Sequence, residues 1–298
     1  MSLKKQTGTK IHVPVMPKEV LSLLNIVSDG IYIDGTIGLG GHASIIQQRL
    51  SNQGHLIGVD RDEEAIKICT NNLSSSTTPI SLFNNSYHNL ESVLDDLGIV
   101  QVSGILLDLG LSSMQLDSME RGFSYKSNSN LDMRFDINQK ISAFNIVNDT
   151  SSDELADIIY NYGEERRSRS IAKRIAMMRP IKTVPELVEA IRRSTPPKNR
   201  NKTIVRVFQA IRIAVNDELD KLDSFLSFFY RRLCIGGRIV IISFQSLEDR
   251  KIKHTFRELG KKKIIKILTK KPLAPTREEI INNNRSKSAK LRAAERIG

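Results

Sequence analysis

The sequence predicts a doubly wound α/β sheet that is interrupted by an inserted helical domain. Short apolar segments alternate with helical patterns over the first third of the chain, which is the order that builds a parallel sheet. A glycine-rich turn at 34–42 joins the first of these strands to a helix. Between Leu109 and Arg238 the strand rhythm stops, and apolar residues recur at helical spacing instead.

The strands are predicted from short apolar runs bounded by turn residues, and the helices from apolar residues that share one face. The predicted strands are Ile31 to Asp34, His55 to Asp60, Ile80 to Asn84, Val102 to Leu109, Arg238 to Phe244 and Ile264 to Thr269. The helices between them are predicted near Lys18 to Leu24, Ala43 to Leu50, Glu63 to Asn72 and Leu90 to Leu97.

The inserted segment is predicted to be helical from Ser152 to Ser194. Within it, Thr183 followed by Glu186 has the spacing of a helix start. The next stretch, Lys202 to Phe229, is predicted as one long helix that packs on the sheet. We therefore expect two units, a sheet domain and an inserted helical domain, which comprise residues 1–113 with 201–298 and residues 114–200, respectively.

Length and composition are those of a globular protein without membrane segments. The chain has 298 residues, of which 26% are charged and 40% hydrophobic. No apolar run approaches the roughly 18 to 20 residues that span a bilayer, and no secretory signal is predicted. Cys69 and Cys234 are far apart, with no Cys or His at metal-ligand spacing. We expect structural cysteines, no metal site, no membrane partner and a cytoplasmic location.

The formal charge of +12 indicates an anionic partner, and nucleic acid is the first candidate. Solvated helix faces would explain any single basic cluster about as well. Three clusters contribute: Arg166, Arg167, Arg169, Lys173, Arg174 and Arg179; Arg192, Arg193, Lys198, Arg200, Lys202 and Arg206; and Lys261 to Lys271 with Arg285 to Arg296.

The glycine-rich turn predicts a site for a nucleotide-type ligand, because it joins the end of a strand to the start of a helix. Its spacing, Gly38-x-Gly40-x-x-Ala43 with Asp60 further on, fits the dinucleotide fingerprint, so an NAD-dependent oxidoreductase stays an alternative. Asp34 in the turn favours a different ligand, since a carboxylate there repels a diphosphate and attracts a cation. S-adenosylmethionine is cationic, and its ribose diol suits Asp60 as acceptor.

Two further segments follow predicted strands and therefore lie at the same edge of the sheet. In the first, Asp108 either converges with Asp34 and Asp60 on one cleft or caps the following turn. In the second, the ring of Phe244 either stacks on an extruded base or packs in the core. Carboxylates around one cleft favour a cationic cofactor.

Ordered motifs extend from His12 almost to the last residue. They include Tyr32-Ile33-Asp34-Gly35-Thr36, Gly40-Gly41-His42, Asp60-Arg61-Asp62, Leu106-Leu107-Asp108-Leu109-Gly110, Glu120-Arg121-Gly122-Phe123-Ser124, Tyr162-Gly163-Glu164-Glu165-Arg166 and Ser246-Leu247-Glu248-Asp249-Arg250. Together they closely resemble the MraW family of bacterial S-adenosylmethionine-dependent methyltransferases. The resemblance implies a Rossmann-like methyltransferase sheet with an RNA-recognising helical insertion. It also implies methylation of the exocyclic N4 amine of a decoding-centre cytidine in 16S small-subunit ribosomal RNA.

The resemblance also implies site residues at matching positions. Combined with the turn analysis, it predicts cofactor contacts at Asp34, Gly38, Gly40, Gly41, His42, Asp60, Tyr87, Asp108 and Gln115. Catalysis is expected from Asp108, Ser112 and Ser113, which would accept hydrogen bonds from the amine, and from Phe244, which would hold the base. One departure is Gln245, which stands where the family usually has a histidine that can titrate.

Several alternatives stay open at this point. A non-catalytic RNA-binding factor of ribosome assembly would have the same basic clusters and would use the cleft only to sense a ligand. The expected partner is small-subunit ribosomal RNA, either naked or within the assembled 30S subunit. The sequence is equally compatible with a monomer and a homodimer.

Overall fold

The structure is a computed structural model that describes residues 14–74, 77–112, 115 and 120–298. Its sheet has the order β3-β2-β1-β4-β5-β7-β6, in which β7 is antiparallel to both neighbours and the other pairings are parallel. The strands are β1 Ile31–Asp34, β2 His55–Asp60, β3 Ile80–Asn84, β4 Val102–Asp108, β5 Leu233–Ser243, β6 Ile265–Ile267 and β7 Lys290–Arg296. The order reverses between β1 and β4, which makes the sheet doubly wound as predicted.

Helices cover both faces of the sheet and form the insertion. They are α1 Pro17–Leu24, α2 Gly41–Gln47, α3 Glu63–Leu73, α4 Leu90–Asp96, α5 Ala143–Asp149, α6 Ser152–Gly163, α7 Ser168–Met177, α8 Val184–Arg193, α9 Arg200–Asn216, α10 Glu218–Arg232, α11 Ser246–Lys261 and α12 Arg277–Asn282. Short 3₁₀ turns lie at Tyr87–Asn89, Pro197–Asn199 and Asn284–Ser288. Within the described ranges no helix is both long and apolar enough to cross a bilayer.

The first half of the sheet confirms the sequence prediction, since β1, β2 and β3 have the predicted bounds. The second half differs. The strand predicted from Arg238 starts at Leu233, because a register irregularity at Val102/Gly104 lets the earlier residues join β4. The predicted strand at Ile264 to Thr269 is shorter, at Ile265–Ile267.

Strand β7 was not predicted, and its residues belong to the third basic cluster of the sequence. It lies inside the sheet between β5 and β6. Its arginine Arg292 is buried and pairs with Asp249 on α11, at 2.7 Å between Nε and Oδ1. Alternating charged residues concealed the strand, because a side chain that is paired in the fold looks solvated in the sequence. Arg292 is therefore a structural residue rather than a free cation.

A separate apolar cluster holds the insertion together. Helices α5 to α8 enclose it, and Leu155, Ile171 and Leu187 lie at its centre without solvent exposure. Three of these helices begin with capping boxes, in which Ser142 pairs with Asn145, Ser151 with Glu154 and Thr183 with Glu186. This confirms the helical prediction for the segment and the helix start at Thr183.

The stretch predicted as one long helix, Lys202 to Phe229, is two helices. Asp217 interrupts it with a left-handed backbone conformation (φ 51°) between α9 and α10. The apolar side of α9 packs with the insertion, whereas α10 supplies Phe225 and Phe229 to the core under the sheet. The single-helix prediction was wrong because periodicity does not reveal a one-residue break. By packing, we propose that the inserted domain extends to Asn216.

Candidate active site

A cavity of about 300 Å³ opens where the carboxyl ends of β1, β2, β4 and β5 meet. It lies at the reversal of strand order, the position where doubly wound sheets bind ligands. The glycine turn forms one wall, the segment after β4 the second, and the start of α11 the third. Predicted site residues that line it are Gly38, Gly41, His42, Asp60, Tyr87, Asp108, Ser112, Gln115 and Phe244.

Asp60 fixes the shape of the glycine turn. Its Oδ2 accepts the backbone N–H of Gly38 at 2.8 Å, and its Oδ1 accepts that of Asp62 at 2.9 Å. Gly38 and Gly40 have left-handed φ values of 50° and 88°, which disfavour other residues. A Cβ on Gly40 would also lie 3.1 Å from Sγ of the buried Cys69. The turn is therefore tightly defined by its sequence.

Asp34 and Gly40 are not among the residues that line the cavity. The Asp34 carboxylate lies beneath the turn at 1% exposure and accepts the backbone N–H of Thr36 at 3.2 Å. Burial raises the pKa of Asp34 to about 7, and the negative charge of Asp60 adds to the effect. Asp34 can therefore affect cofactor binding only by holding the shape of the turn and through the electrostatic potential of its carboxyl group.

Asp108 faces the cavity from the end of β4. Its backbone N–H donates to Thr36 Oγ1 at 2.6 Å, and its Oδ2 lies 3.6 Å from His42 Nδ1. The other ring nitrogen of His42 lies 2.8 Å from the carbonyl oxygen of Val15, so Nε2 carries the proton. Asp108 Oδ1 is buried without a hydrogen-bond partner in the described part of the chain. Burial, followed by the charges of Asp34 and Glu248, raises the pKa of Asp108 well above its usual range.

Phe244 directly follows β5, the strand that pairs with β4, and also lines the cavity. Gly110 lies against its ring, since a Cβ there would be 3.4 Å from Phe244 Cδ2, and the φ of 101° at this position favours glycine. The backbone N–H of Phe244 donates to Glu248 Oε2 at 3.1 Å. The ring is thus presented to the cavity by contacts on two sides.

Sequence reasoning assigned no site role to five charged residues that line the cavity, Glu248, Glu218, Arg212, Arg61 and Arg285. Arg212 forms two hydrogen bonds with Glu218, at 2.8 and 2.9 Å, where α9 passes to α10. Burial and the charge of Glu218 raise the pKa of Glu248 to about 7. Glu248 lies in a motif quoted above, but no pattern indicated Glu218, because its position depends on the break at Asp217.

The remaining predicted residues divide into wall and support. Tyr87 forms a wall and packs edge-on against Phe225, with ring centroids 5.7 Å apart. Gln115 Nε2 donates to Asp62 Oδ2 at 3.2 Å, and its backbone N–H donates to Ser112 Oγ at the same distance. Ser113 lies outside the described residues.

Gln245 does not line the cavity. Its Nε2 donates to Glu248 Oε1 at 2.8 Å, and the residue is buried at the start of α11. The side chain therefore holds Glu248 in place. Because a carboxamide does not titrate near neutral pH, Gln245 cannot act as an acid or a base.

The residues present fit S-adenosylmethionine better than a dinucleotide. Carboxylates of Asp60, Asp108, Glu218 and Glu248 line the cavity. They offer acceptors to a ribose diol, an ammonium group and a positively charged sulfur. Arg61, Arg212 and Arg285 also line the cavity, but Arg212 is paired with Glu218 and Arg61 donates to Gln139 Oε1, so the carboxylates outnumber the cations that could bind a diphosphate. The unpartnered Oδ1 of Asp108 is an acceptor that still lacks a donor.

The chain is similar to several proteins of known sequence or structure. A solved rRNA methylase from Streptococcus thermophilus aligns with a TM-score of 0.46 at 11% identity, covering 95% of this chain and 94% of that one. Ribosomal RNA small subunit methyltransferase H of Thermosipho africanus is 48% identical over 290 residues, covering 96% of this chain and 98% of the relative. The protein of the same name from Kosmotoga olearia is 47% identical, with 96% and 97% covered. Because the model of the MraW methylase family also matches residues 9–297, the chain belongs to that family.

Proposed function

We propose that this protein transfers a methyl group from S-adenosylmethionine to the exocyclic N4 amine of a decoding-centre cytidine in small-subunit ribosomal RNA. Its family is one of methylases, and its relatives at 47% and 48% identity are named for small-subunit ribosomal RNA. The observation that supports an amine as acceptor is the free oxygen of Asp108, in the same cavity as the ring of Phe244.

The cytosine amine is a weak nucleophile because its lone pair is delocalised into the ring. An acceptor that binds an N–H of the amine localises that lone pair, and Asp108 Oδ1 is such an acceptor. The same carboxylate can take the proton that the nitrogen loses. S-adenosylmethionine, when bound, supplies an electrophilic methyl group on a positively charged sulfur.

The other proposed roles are positional. Phe244 holds the base flat, and Glu248 fixes the backbone of Phe244. Ser112 Oγ accepts the backbone N–H of Gln115 at 3.2 Å, which holds the hydroxyl at the cavity, where its second lone pair can accept from the amine. The catalytic role of Ser113 and the cofactor contacts of Gly38, Gly41, His42, Asp60, Tyr87 and Gln115 stay part of the proposal.

The two alternatives are less well supported. An NAD-dependent oxidoreductase would place a diphosphate among the carboxylates of the cavity. A non-catalytic assembly factor is not favoured by membership of a family of methylases. Equilibrium binding of S-adenosylmethionine and NAD distinguishes the proposed methyltransferase from the oxidoreductase. Transfer of an isotope-labelled methyl group to RNA distinguishes it from the assembly factor.

The test is transfer of tritium from labelled methyl donor to RNA from cells that lack this protein. Assembled 30S subunits and naked 16S RNA are compared as substrates, and light scattering reports whether the enzyme is a homodimer. The proposal expects label in one of these substrates with wild-type protein and none with Asp108→Ala. Binding of RNA without transfer to either substrate would contradict it.

A further inference from the structure

A second cleft lies on the insertion, between the loop before α7 and the start of α9. We call it the basic cleft. Its lining is Glu164, Glu165, Arg166, Arg167, Asn199, Lys202, Thr203 and Arg206. The side chains of Arg166, Arg167, Lys202 and Arg206 are exposed to solvent.

A buried carboxylate organises this cleft. Glu165 is 4% exposed, and its Oε1 accepts the backbone N–H of Arg167 at 3.1 Å. Its Oε2 accepts the Thr203 hydroxyl at 3.0 Å and Arg206 NH1 at 3.4 Å. Glu165 thus ties the two walls together, and its acceptor capacity is directed into the protein rather than toward a ligand.

The cleft carries an excess of positive charge. Among the described residues, Arg166, Arg167 and Lys202 take part in none of the ion pairs, and Arg206 pairs only with Glu165. The other acid, Glu164, is held by Arg250 at 2.9 Å. No acidic residue lies in the first turn of α7 or of α9, whose amino ends border the cleft. Unpaired cations of this density attract an anion.

The basic cleft is coupled to the active site through a short series of contacts. Glu164 accepts the Ser246 hydroxyl at 2.6 Å, which joins the insertion to the first turn of α11. Ser246 follows Phe244 by two residues, and Phe244 lines the cavity. A polymer that is bound in the cleft therefore lies next to the start of α11, at the rim of the cavity.

We propose that the basic cleft binds a phosphodiester group of the RNA strand whose base enters the cavity. The inference rests on the proposed function, because it takes RNA as the substrate. Arginine and lysine contacts to phosphate fix the register of a nucleic acid without reading its sequence. Arg166 and Lys202, which reach in from opposite walls, are the primary contacts.

The test removes these two charges in the full-length protein, as Arg166→Ala/Lys202→Ala. Neither side chain supports the structure through an ion pair in the described ranges, so the fold should persist. The matched control is Arg49→Ala/Lys261→Ala, which removes one arginine and one lysine that are exposed and take part in no ion pair in the described ranges. Arg49 follows α2 and Lys261 ends α11, so both lie on the side of the sheet where β2 and β6 begin. Affinity for small-subunit ribosomal RNA is measured as a function of salt, together with KM for RNA and Kd for S-adenosylmethionine.

The cleft variant should lose roughly one unit of salt slope per phosphate contact and at least about tenfold in RNA affinity at low salt. Its KM for RNA should rise, while its Kd for S-adenosylmethionine should equal that of the wild type. The control variant should have wild-type values for all of these quantities. A salt slope equal to that of the control overturns the cleft proposal. Weakened binding to anionic lipid vesicles with an unchanged RNA slope overturns it as well.

These outcomes are distinct from failure of the proposed function. Absence of methyl transfer to RNA by the wild type contradicts the function itself. Normal methyl transfer with an unaffected cleft variant contradicts only the phosphate site.

Discussion

Asp108 is the residue on which the proposed chemistry depends. Replacement by Asn keeps its size but removes the carboxylate, so kcat should fall at least about 100-fold, as expected for loss of a general base. The wild-type rate should rise with pH through the elevated pKa of Asp108, and the variant should lose this limb. The measurement is single-turnover methyl transfer, with Asp96→Asn, an exposed carboxylate at the end of α4, as control. Wild-type activity in Asp108→Asn would contradict the assignment.

Asp34 makes a residue-scale prediction about pH and stability. Its pKa is 3.8 when exposed and about 7 in the fold, so between these values the folded state holds a proton that the unfolded state has lost. The free energy of unfolding should therefore fall as pH rises from about 4 to 7, by at most roughly 1.4 kcal/mol per unit. Urea unfolding of Asp34→Asn should show a smaller fall. An identical pH dependence in variant and wild type would show that Asp34 is ionised throughout.

Most site residues were accessible from the sequence because they lie at strand ends. Asp60, Asp108 and Phe244 needed only the topology of the sheet to bring them together. Glu218 and Arg212 were not accessible, because their approach to the cavity depends on tertiary packing of α9 and α10. The burial of Asp34 beneath the turn was also not predictable, because the spacing of residues in the sequence gives the position of its charge but not its exposure.

Strand β7 carries the prediction at the scale of elements. Arg292→Ala removes one partner of a buried pair and leaves Asp249, with 13% of its side chain exposed, without its main cation. The expected cost is about 3 kcal/mol in urea unfolding. Asp249→Asn in the same chain should recover part of this loss, because no unpaired charge remains. RNA affinity per folded molecule should be unchanged. A variant that is as stable as the wild type but binds RNA more weakly would show that Arg292 is an exposed RNA contact.

Elements were predictable where their own pattern decided them. Strands β1 to β3 are apolar and bounded by turn residues, and the insertion helices have clear capping boxes. Strand β7 is stabilised by partners on both sides and by α11, which local sequence does not reveal. The break at Asp217 likewise has no glycine or proline to mark it.

The whole molecule combines an acidic cavity with a basic insertion. The cavity carboxylates whose pKa values are raised by burial, Asp60, Asp108 and Glu248, must ionise to favour a cationic ligand. Affinity for S-adenosylmethionine should therefore rise between pH 5.5 and 8, while S-adenosylhomocysteine, which lacks the charge on sulfur, should show a smaller rise. Isothermal titration of both ligands measures this. Equal pH dependence for the two would place the charged sulfur away from these acids.

Mapping of methylated nucleotides in small-subunit ribosomal RNA tests whether this protein methylates a cytidine amine. RNA from cells without this protein is compared by mass spectrometry of nucleosides and oligonucleotides with RNA from cells that express either wild type or Asp108→Asn. We expect one N4-methylated decoding-centre cytidine that requires the wild-type protein and is absent with Asp108→Asn. An unchanged methylation map, or a methyl group on a carbon or a ribose oxygen, would contradict it.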